Sequence, residues 1–202
     1  MRPAGIVLAG GASRRFGGDK LAADLDGRSV LAHAVGGVTG VASPVVVVLA
    51  PEAAVPDLGP AVLVARDTEA FGGPLAGLLV GLEALVALPG GAPDTAILVG
   101  GDMPSLVPGV LALMADALAR DPALGAVTLG IEPPTALPMA VRVALALPAV
   151  RSLLAADRRR LRGPLDLIPS AVIAAAEWRA LDPDAATLRD IDTRSDLGPS
   201  PT

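Results

Sequence analysis

A chain of 202 residues, 52% hydrophobic and 18% charged, is too apolar to remain disordered and has the length of one domain with a buried aliphatic core. The absence of cysteine and the single histidine, His33, exclude disulfides, thiolate chemistry and cysteine- or histidine-rich metal sites, which leaves hard cations held on carboxylates. A net charge of −5, with only Phe16, Phe71 and Trp178 as aromatics, argues against a nucleic-acid partner and leaves a small anionic ligand on a local basic patch.

The opening stretch MRPAGIVLAGGAS has the outline of a secretory leader, but its apolar part is short and runs straight into Arg14 and Arg15. It reads instead as a strand at 5–8, and the expected location is cytoplasmic. Apolar runs at 45–49, 61–65, 95–99, 125–129 and 137–141, with weaker ones at 171–175 and 188–191, predict further strands. Helical periodicity falls at 30–38, 74–88, 108–120 and 143–156, and a last helix is expected after Thr193. Pro74 suits the first turn of its helix, and Thr193 followed by Asp196 reads as a capping box. The alternation predicts an α/β fold, three layers deep, on a mostly parallel sheet. No apolar run reaches the roughly 20 residues of a membrane helix, because Glu83 and Pro89 interrupt the best one. The Pro- and Gly-containing stretches 51–60 and 89–93 read as loops, and residues 198–202 as a frayed tail behind a single domain, 1–197.

The first strand runs into GGASRRFGGDK. A backbone turning at Gly10 and Gly11 can aim its N–H groups at phosphate oxygens with no side chain in the way, and Arg14, Arg15 and Lys20 can then supply charge to a triphosphate. Neither the dinucleotide fingerprint nor the P-loop is present, and an exposed flexible turn is the alternative. Lys20 is the sole lysine among sixteen basic residues, and a compact ammonium on a flexible stem suits phosphate.

LAGGASRRFGGDK, residues 8–20, resembles the signature of the molybdenum cofactor guanylyltransferases and their relatives in the nucleotidyltransferase superfamily. ARDTEAFGGPLAGL from Ala65, ILVGGDMPSL from Ile97 and DIDTRSDL from Asp190 follow in the family's order, and PTALPMAVR from Pro134 is similar to its strand after the nucleotide half. The resemblance implies a Rossmann-like, nucleotide-diphospho-sugar transferase-like domain that moves GMP from GTP to the terminal phosphate of molybdopterin or molybdenum cofactor. Mg²⁺ is the implied cofactor and pyrophosphate the second product. The implied nucleotide site comprises Leu8, Ala9, Gly10, Gly11, Ser13, Arg14, Lys20, Asp67, Gly73 and Asp102, with Lys20, Arg15 and Asp102 as the catalytic groups. Cofactor-biosynthesis or molybdoenzyme-maturation proteins are implied partners, and a membrane is not.

Asp102 follows the strand at 95–99 and should emerge at its carboxyl end, where ligands bind in open α/β sheets. A hard oxygen donor there fits Mg²⁺ beside an α-phosphate; a turn role ahead of Pro104 is the alternative. Asp67 lies near the base or ribose by resemblance, or is simply a solvated loop residue. Asp190 and Asp192 stand where the guanylyltransferases usually carry asparagine and related cytidylyltransferases often carry aspartate. The chain contains no asparagine, so Asp192 is either a compositional replacement or a second metal ligand beside Asp102. The run DRRRLRG, 157–163, reads as a solvated helix end or, by resemblance, as the source of an arginine for the acceptor's phosphate: Arg158, Arg159, Arg160 or Arg162. Two other functions fit the same residues: a cytidylyl- or sugar-phosphate nucleotidyltransferase of this fold, and a nucleotide-binding protein without catalysis.

Overall fold

A computed structural model describes residues 2–11, 16–59, 62–67 and 72–197. The tail at 198–202 lies outside them, as do Ser13, Arg14 and Arg15. In chain order the elements are β1 (Ala4–Ala9), β2 (Asp24–Leu25), β3 (Arg28–Ser29), α1 (Val30–Thr39), β4 (Val45–Leu49), β5 (Val62–Arg66) and α2 (Pro74–Val86). They continue with β6 (Thr95–Gly100), α3 (Pro108–Arg120), β7 (Ala126–Leu129), β8 (Met139–Arg142), α4 (Val143–Ala155), β9 (Ser170–Ile173) and α5 (Ala175–Arg179).

Among the described residues the sheet has seven strands in the order β5-β4-β1-β6-β8-β7-β9, and only β8 runs against its neighbours. The chain leaves β1 for β4 on one side and later returns to β6 on the other. That reversal of winding is where open α/β sheets part their loops and admit ligands.

Strand periodicity divides the core. Ile6 and Val48 face α2, together with Leu98 and Met139, whereas Val7, Val47, Ile97 and Val99 face α1. Helix α2 comes unusually close to β1 because two glycines one turn apart lie on its inner face. A Cβ on Gly81 would stand 2.6 Å from Ile6, and one on Gly77 would stand 3.3 Å from Leu8. Helices α2 and α4 cover one face, and α1 and α3 the other, completing the three layers. No helix among the described residues is long and apolar enough to cross a membrane.

Three departures from the sequence expectations bear on the site. A short hairpin, β2–β3, turns at Asp26 and Gly27, both with positive φ, and His33 Nε2 lies 2.7 Å from the Leu25 carbonyl beside it. The expected strand at 188–191 is absent; the chain there makes a 3-10 turn, Ala186–Leu188, followed by an extended arm. A strand at that point would need a free sheet edge, and the arm instead lies across the loop after β6, with Ile191 N–H donating to the Asp102 carbonyl at 2.9 Å. The expected last helix is a 3-10 turn, Arg194–Leu197, and its capping box is half formed: Asp196 accepts from Thr193 N–H at 2.7 Å.

Candidate active site

A cleft of about 370 Å³ opens at the carboxyl ends of β1 and β6, beside the first turn of α2. Its apolar floor is the α2 side of the sheet, with Leu8, Val48 and Leu137 on it. Its rim carries Gly10 and Gly11 after β1, Lys20, Asp67 after β5, Gly73 and Pro74 at the start of α2, and Gly100 and Asp102 after β6. Alternation along β1 puts Leu8 in the cleft and turns Ala9 to the opposite face, where its side chain is buried against the α1 layer.

The glycines of the rim serve different ends. Among the described residues a Cβ on Gly11 would meet nothing within 4 Å, and one on Gly10 would make only ordinary contact with Leu49 and Ala50. None of the described residues therefore requires glycine at either place, and both positions face the cleft. Gly73 needs its glycine: it caps α2 with φ 88°, a conformation that side chains resist. Gly100 and Gly101 are crowded. A Cβ on Gly100 would collide with Asp102 Oδ1, and one on Gly101 would lie 2.9 Å from Leu31 and 3.2 Å from the Leu8 carbonyl, to which Gly101 N–H already donates at 2.8 Å. The pair lets the chain fold back over β1 and bring Asp102 up over the cleft.

Lys20 is set by its own short loop. The Asp19 carboxylate accepts from Leu21 N–H at 3.0 Å and Ala22 N–H at 3.3 Å, while Leu31 N–H and Val30 N–H tie Leu21 and Ala23 to the start of α1. Phe16 is buried against Val30 and Ile191 beneath this loop. The Lys20 ammonium donates to Asp102 Oδ2 at 2.7 Å and to Asp192 Oδ1 at 3.2 Å. Its side chain is only 13% exposed, so burial works to lower its pKa, but the hydrogen bonds and charges of Asp102 and Asp192 outweigh burial and hold it above the usual lysine value. Asp190 is pushed up, first by burial and then by the charges of Asp192 and Asp102. Among the described residues two carboxylates, Asp102 and Asp192, thus hold the one ammonium of Lys20, with the Asp190 carboxylate near enough to feel their charge.

That excess suits a divalent cation. Asp102 and Asp192 already converge on one positive atom, and Mg²⁺ is commonly held by one or two carboxylates, with substrate phosphate oxygens and water completing its shell. Among the described residues no group of three or more metal-ligating side chains is gathered, so this carboxylate pair is the whole protein contribution they offer.

The structure therefore brings Leu8, Gly10, Gly11, Lys20, Asp67, Gly73 and Asp102 to one cleft and Asp192 to its edge. Of the basic run, Arg158 pairs with Asp166 at 3.5 Å, and Arg159 holds Asp157 at 2.8 Å and the Gly72 carbonyl at 3.3 Å. Arg162 donates to the Thr135 carbonyl at 2.6 Å and lines a separate pocket with Arg179 at the ends of β7 and β9. Sequence reasoning passed over Leu137 and Val48 on the floor: Leu137 sits just ahead of β8, and Val48 lies in an all-aliphatic strand whose pattern marks neither face.

A model of the MobA-like NTP transferase domain matches residues 5–175. A protein of Chloroflexus aggregans, a probable molybdenum cofactor guanylyltransferase by name, is 35% identical over 98% of this chain and 92% of its own. Among solved structures, molybdopterin-guanine dinucleotide biosynthesis protein A from Archaeoglobus fulgidus superposes with a TM-score of 0.78 at 19% identity, covering 96% of this chain and 94% of its own. The 2-C-methyl-D-erythritol 4-phosphate cytidylyltransferase of Thermus thermophilus does so with 0.71 at 17% identity, covering 98% and 96%; at such identities these two likenesses speak for the fold. With a cleft at the winding reversal, a lysine and paired carboxylates on its rim, and the family model spanning most of its length, the chain belongs to the MobA-like NTP transferases and is a nucleotidyltransferase.

Proposed function

We propose that the enzyme transfers GMP from GTP to the terminal phosphate of molybdopterin or of molybdenum cofactor, with Mg²⁺, in the cytoplasm. The observation that carries the nucleotidyl-transfer chemistry is the convergence of Lys20, Asp102 and Asp192 at the mouth of the cleft. The choice of GTP and of the pterin acceptor rests on the Chloroflexus relative. Proteins that make the cofactor or mature molybdoenzymes are the partners such a product would need.

In this reading the open space beside Gly10 and Gly11 receives the triphosphate, whose oxygens take the backbone N–H groups. Leu8 and Ala9 lead up to these glycines, and Ser13, Arg14 and Arg15, next in sequence, would add donors and charge. Asp67 and Gly73 flank the base and ribose. Asp102 and Asp192 would hold Mg²⁺, which when bound neutralises phosphate charge. Lys20 offsets the negative charge that builds on the departing pyrophosphate. An oxygen of the acceptor's phosphate attacks the α-phosphorus in line; that P–O bond forms as the bond to the β-phosphate bridge breaks. No covalent enzyme intermediate is needed, because positioning and charge neutralisation carry the reaction.

Asp190 and Asp192, in place of the family's asparagines, favour a second reading, a cytidylyltransferase. Thermal melts with each of the four triphosphates and Mg²⁺ separate the two, since a ligand that binds the native state raises the melting temperature. GTP is expected to give the largest shift. A larger shift with CTP would overturn the guanylyl assignment while leaving nucleotidyl transfer in place.

A further inference from the structure

Two of the molecule's buried polar side chains, Asp182 and Thr187, play no part in the chemistry above. They lie between α5 and the arm that carries Asp192. Asp182 is 3% exposed, and its two carboxylate oxygens accept from Ala186 N–H and Thr187 N–H, each at 2.8 Å. Its backbone carbonyl takes Ala185 N–H at 3.1 Å, and Ala185 sits in the left-handed region with φ 52°. One aspartate thus gathers three successive N–H groups and holds a turn that a free chain would avoid. Thr187, fully buried, reaches beyond this turn as well: its Oγ1 accepts from Val107 N–H at 3.1 Å.

Val107 ends the loop that begins at Gly100 and carries Asp102, and it is also the N-cap of α3. The arm is therefore tied to that loop twice, at Val107 through Thr187 and at Asp102 itself through Ile191 N–H. Between the two ties lie only Leu188, Arg189 and Asp190, and Asp192 follows immediately. With both ends of so short a span fixed to one loop, the distance from Asp192 to Asp102 is a property of the ties and not of either carboxylate.

We propose that Asp182 and Thr187 are positioning residues that set the Asp102–Asp192 pair for its divalent cation. This rests on the reading of that pair as the metal site. Groups outside the ligand shell that orient ligands commonly cost about tenfold or more in metal affinity when removed. Buried polar networks of this kind also fix one geometry among several.

The test is a titration of the intact protein with Mn²⁺ alone, followed by electron paramagnetic resonance, alongside thermal melts. Thr187→Val keeps shape but deletes the acceptor; it should weaken Mn²⁺ binding by about tenfold. Thr187→Ser restores the acceptor and should bind within about twofold of wild type, a rescue that a packing role alone would not give. Asp182→Asn loosens the turn from its other end and should follow Thr187→Val, which keeps the test alive if either variant folds poorly. A Thr187→Val protein that melts lower yet binds Mn²⁺ like wild type overturns the proposal, and Thr187 is then a structural residue. If Asp102→Asn and Asp192→Asn also leave Mn²⁺ affinity untouched, it is the metal reading that fails, and the proposal fails with it.

Discussion

The two rims of the cleft use the same residue for opposite purposes. After β6, Gly100 and Gly101 are hemmed in by Asp102, Leu31 and the Leu8 carbonyl, so each glycine answers a contact within the protein. After β1, Gly10 and Gly11 answer no close contact among the described residues: their missing side chains leave room on the cleft side. The far rim is also locked from behind by Thr187 and Ile191. Glycine alone in a motif therefore says little; what a Cβ would strike tells whether the position serves the fold or an incoming ligand.

The strongest way to break that contrast is Gly100→Ala. Its added methyl has nowhere to go but into Asp102 and Met103, and overpacking of this kind costs about 1–3 kcal/mol. The melting temperature should fall by several degrees, since a kilocalorie is worth roughly 2–4 °C in a domain of this size. Pyrophosphate release should fall further than stability does, because the displaced atom is a carboxylate oxygen of the site. Gly11→Ala should do the reverse. Its melting temperature should stay within the change of about 0.5 kcal/mol expected of a neutral surface site, while half-saturation by triphosphate rises severalfold. Equal melting losses in the two variants would erase the distinction between the rims.

A subtler effect concerns the lock behind the far rim. Burial alone would raise the pKa of Asp182, but the N–H and hydroxyl of Thr187, the N–H of Ala186 and the charge of Arg189 hold its carboxyl below the usual range. A depressed folded pKa means that its stabilisation is complete above the unfolded value near ~3.9 and is lost as the pH falls through the folded one. The stability gap between wild type and Asp182→Asn in urea melts should therefore hold constant from about pH 7 to pH 5 and shrink below about pH 4. A gap unchanged in strong acid would take the charge of Asp182 out of the lock.

Much of this was legible in the sequence because the strands are written in aliphatic runs. VVVVL at β4 and TAILVG at β6 are buried at nearly every position, as central strands are, and needed no context. The hairpin β2–β3 was missed although Asp26-Gly27 is a strong turn signal, because two-residue strands leave no alternation to read. The arm at 188–191 reads as a weak strand because Leu188 and Ile191 bracket two charged residues; what decides its shape is a hydrogen bond to a loop eighty-odd residues earlier, which spacing does not report. Asp182 and Thr187 carry no signal in the sequence for the same reason: burial of a polar group shows only when its partners are in place. Lys20 and Asp102, by contrast, stood out as a lone lysine beside glycines and an aspartate closing a strand, and the fold sets them 2.7 Å apart.

The ammonium of Lys20 lies between Asp102 and Asp192, the two carboxylates that would hold a metal ion under the proposed function. Under the proposed function the protein carries its own competitor for the cation, so a metal entering that place must displace the lysine, and a triphosphate that draws the lysine to its phosphates vacates the place for the metal. The two ligands are then thermodynamically linked through one side chain: each raises the affinity of the other by the same factor. Such coupling needs no movement of the sheet, and the firmer the hold of Lys20 on Asp102 and Asp192, the larger the part of it that runs through this side chain.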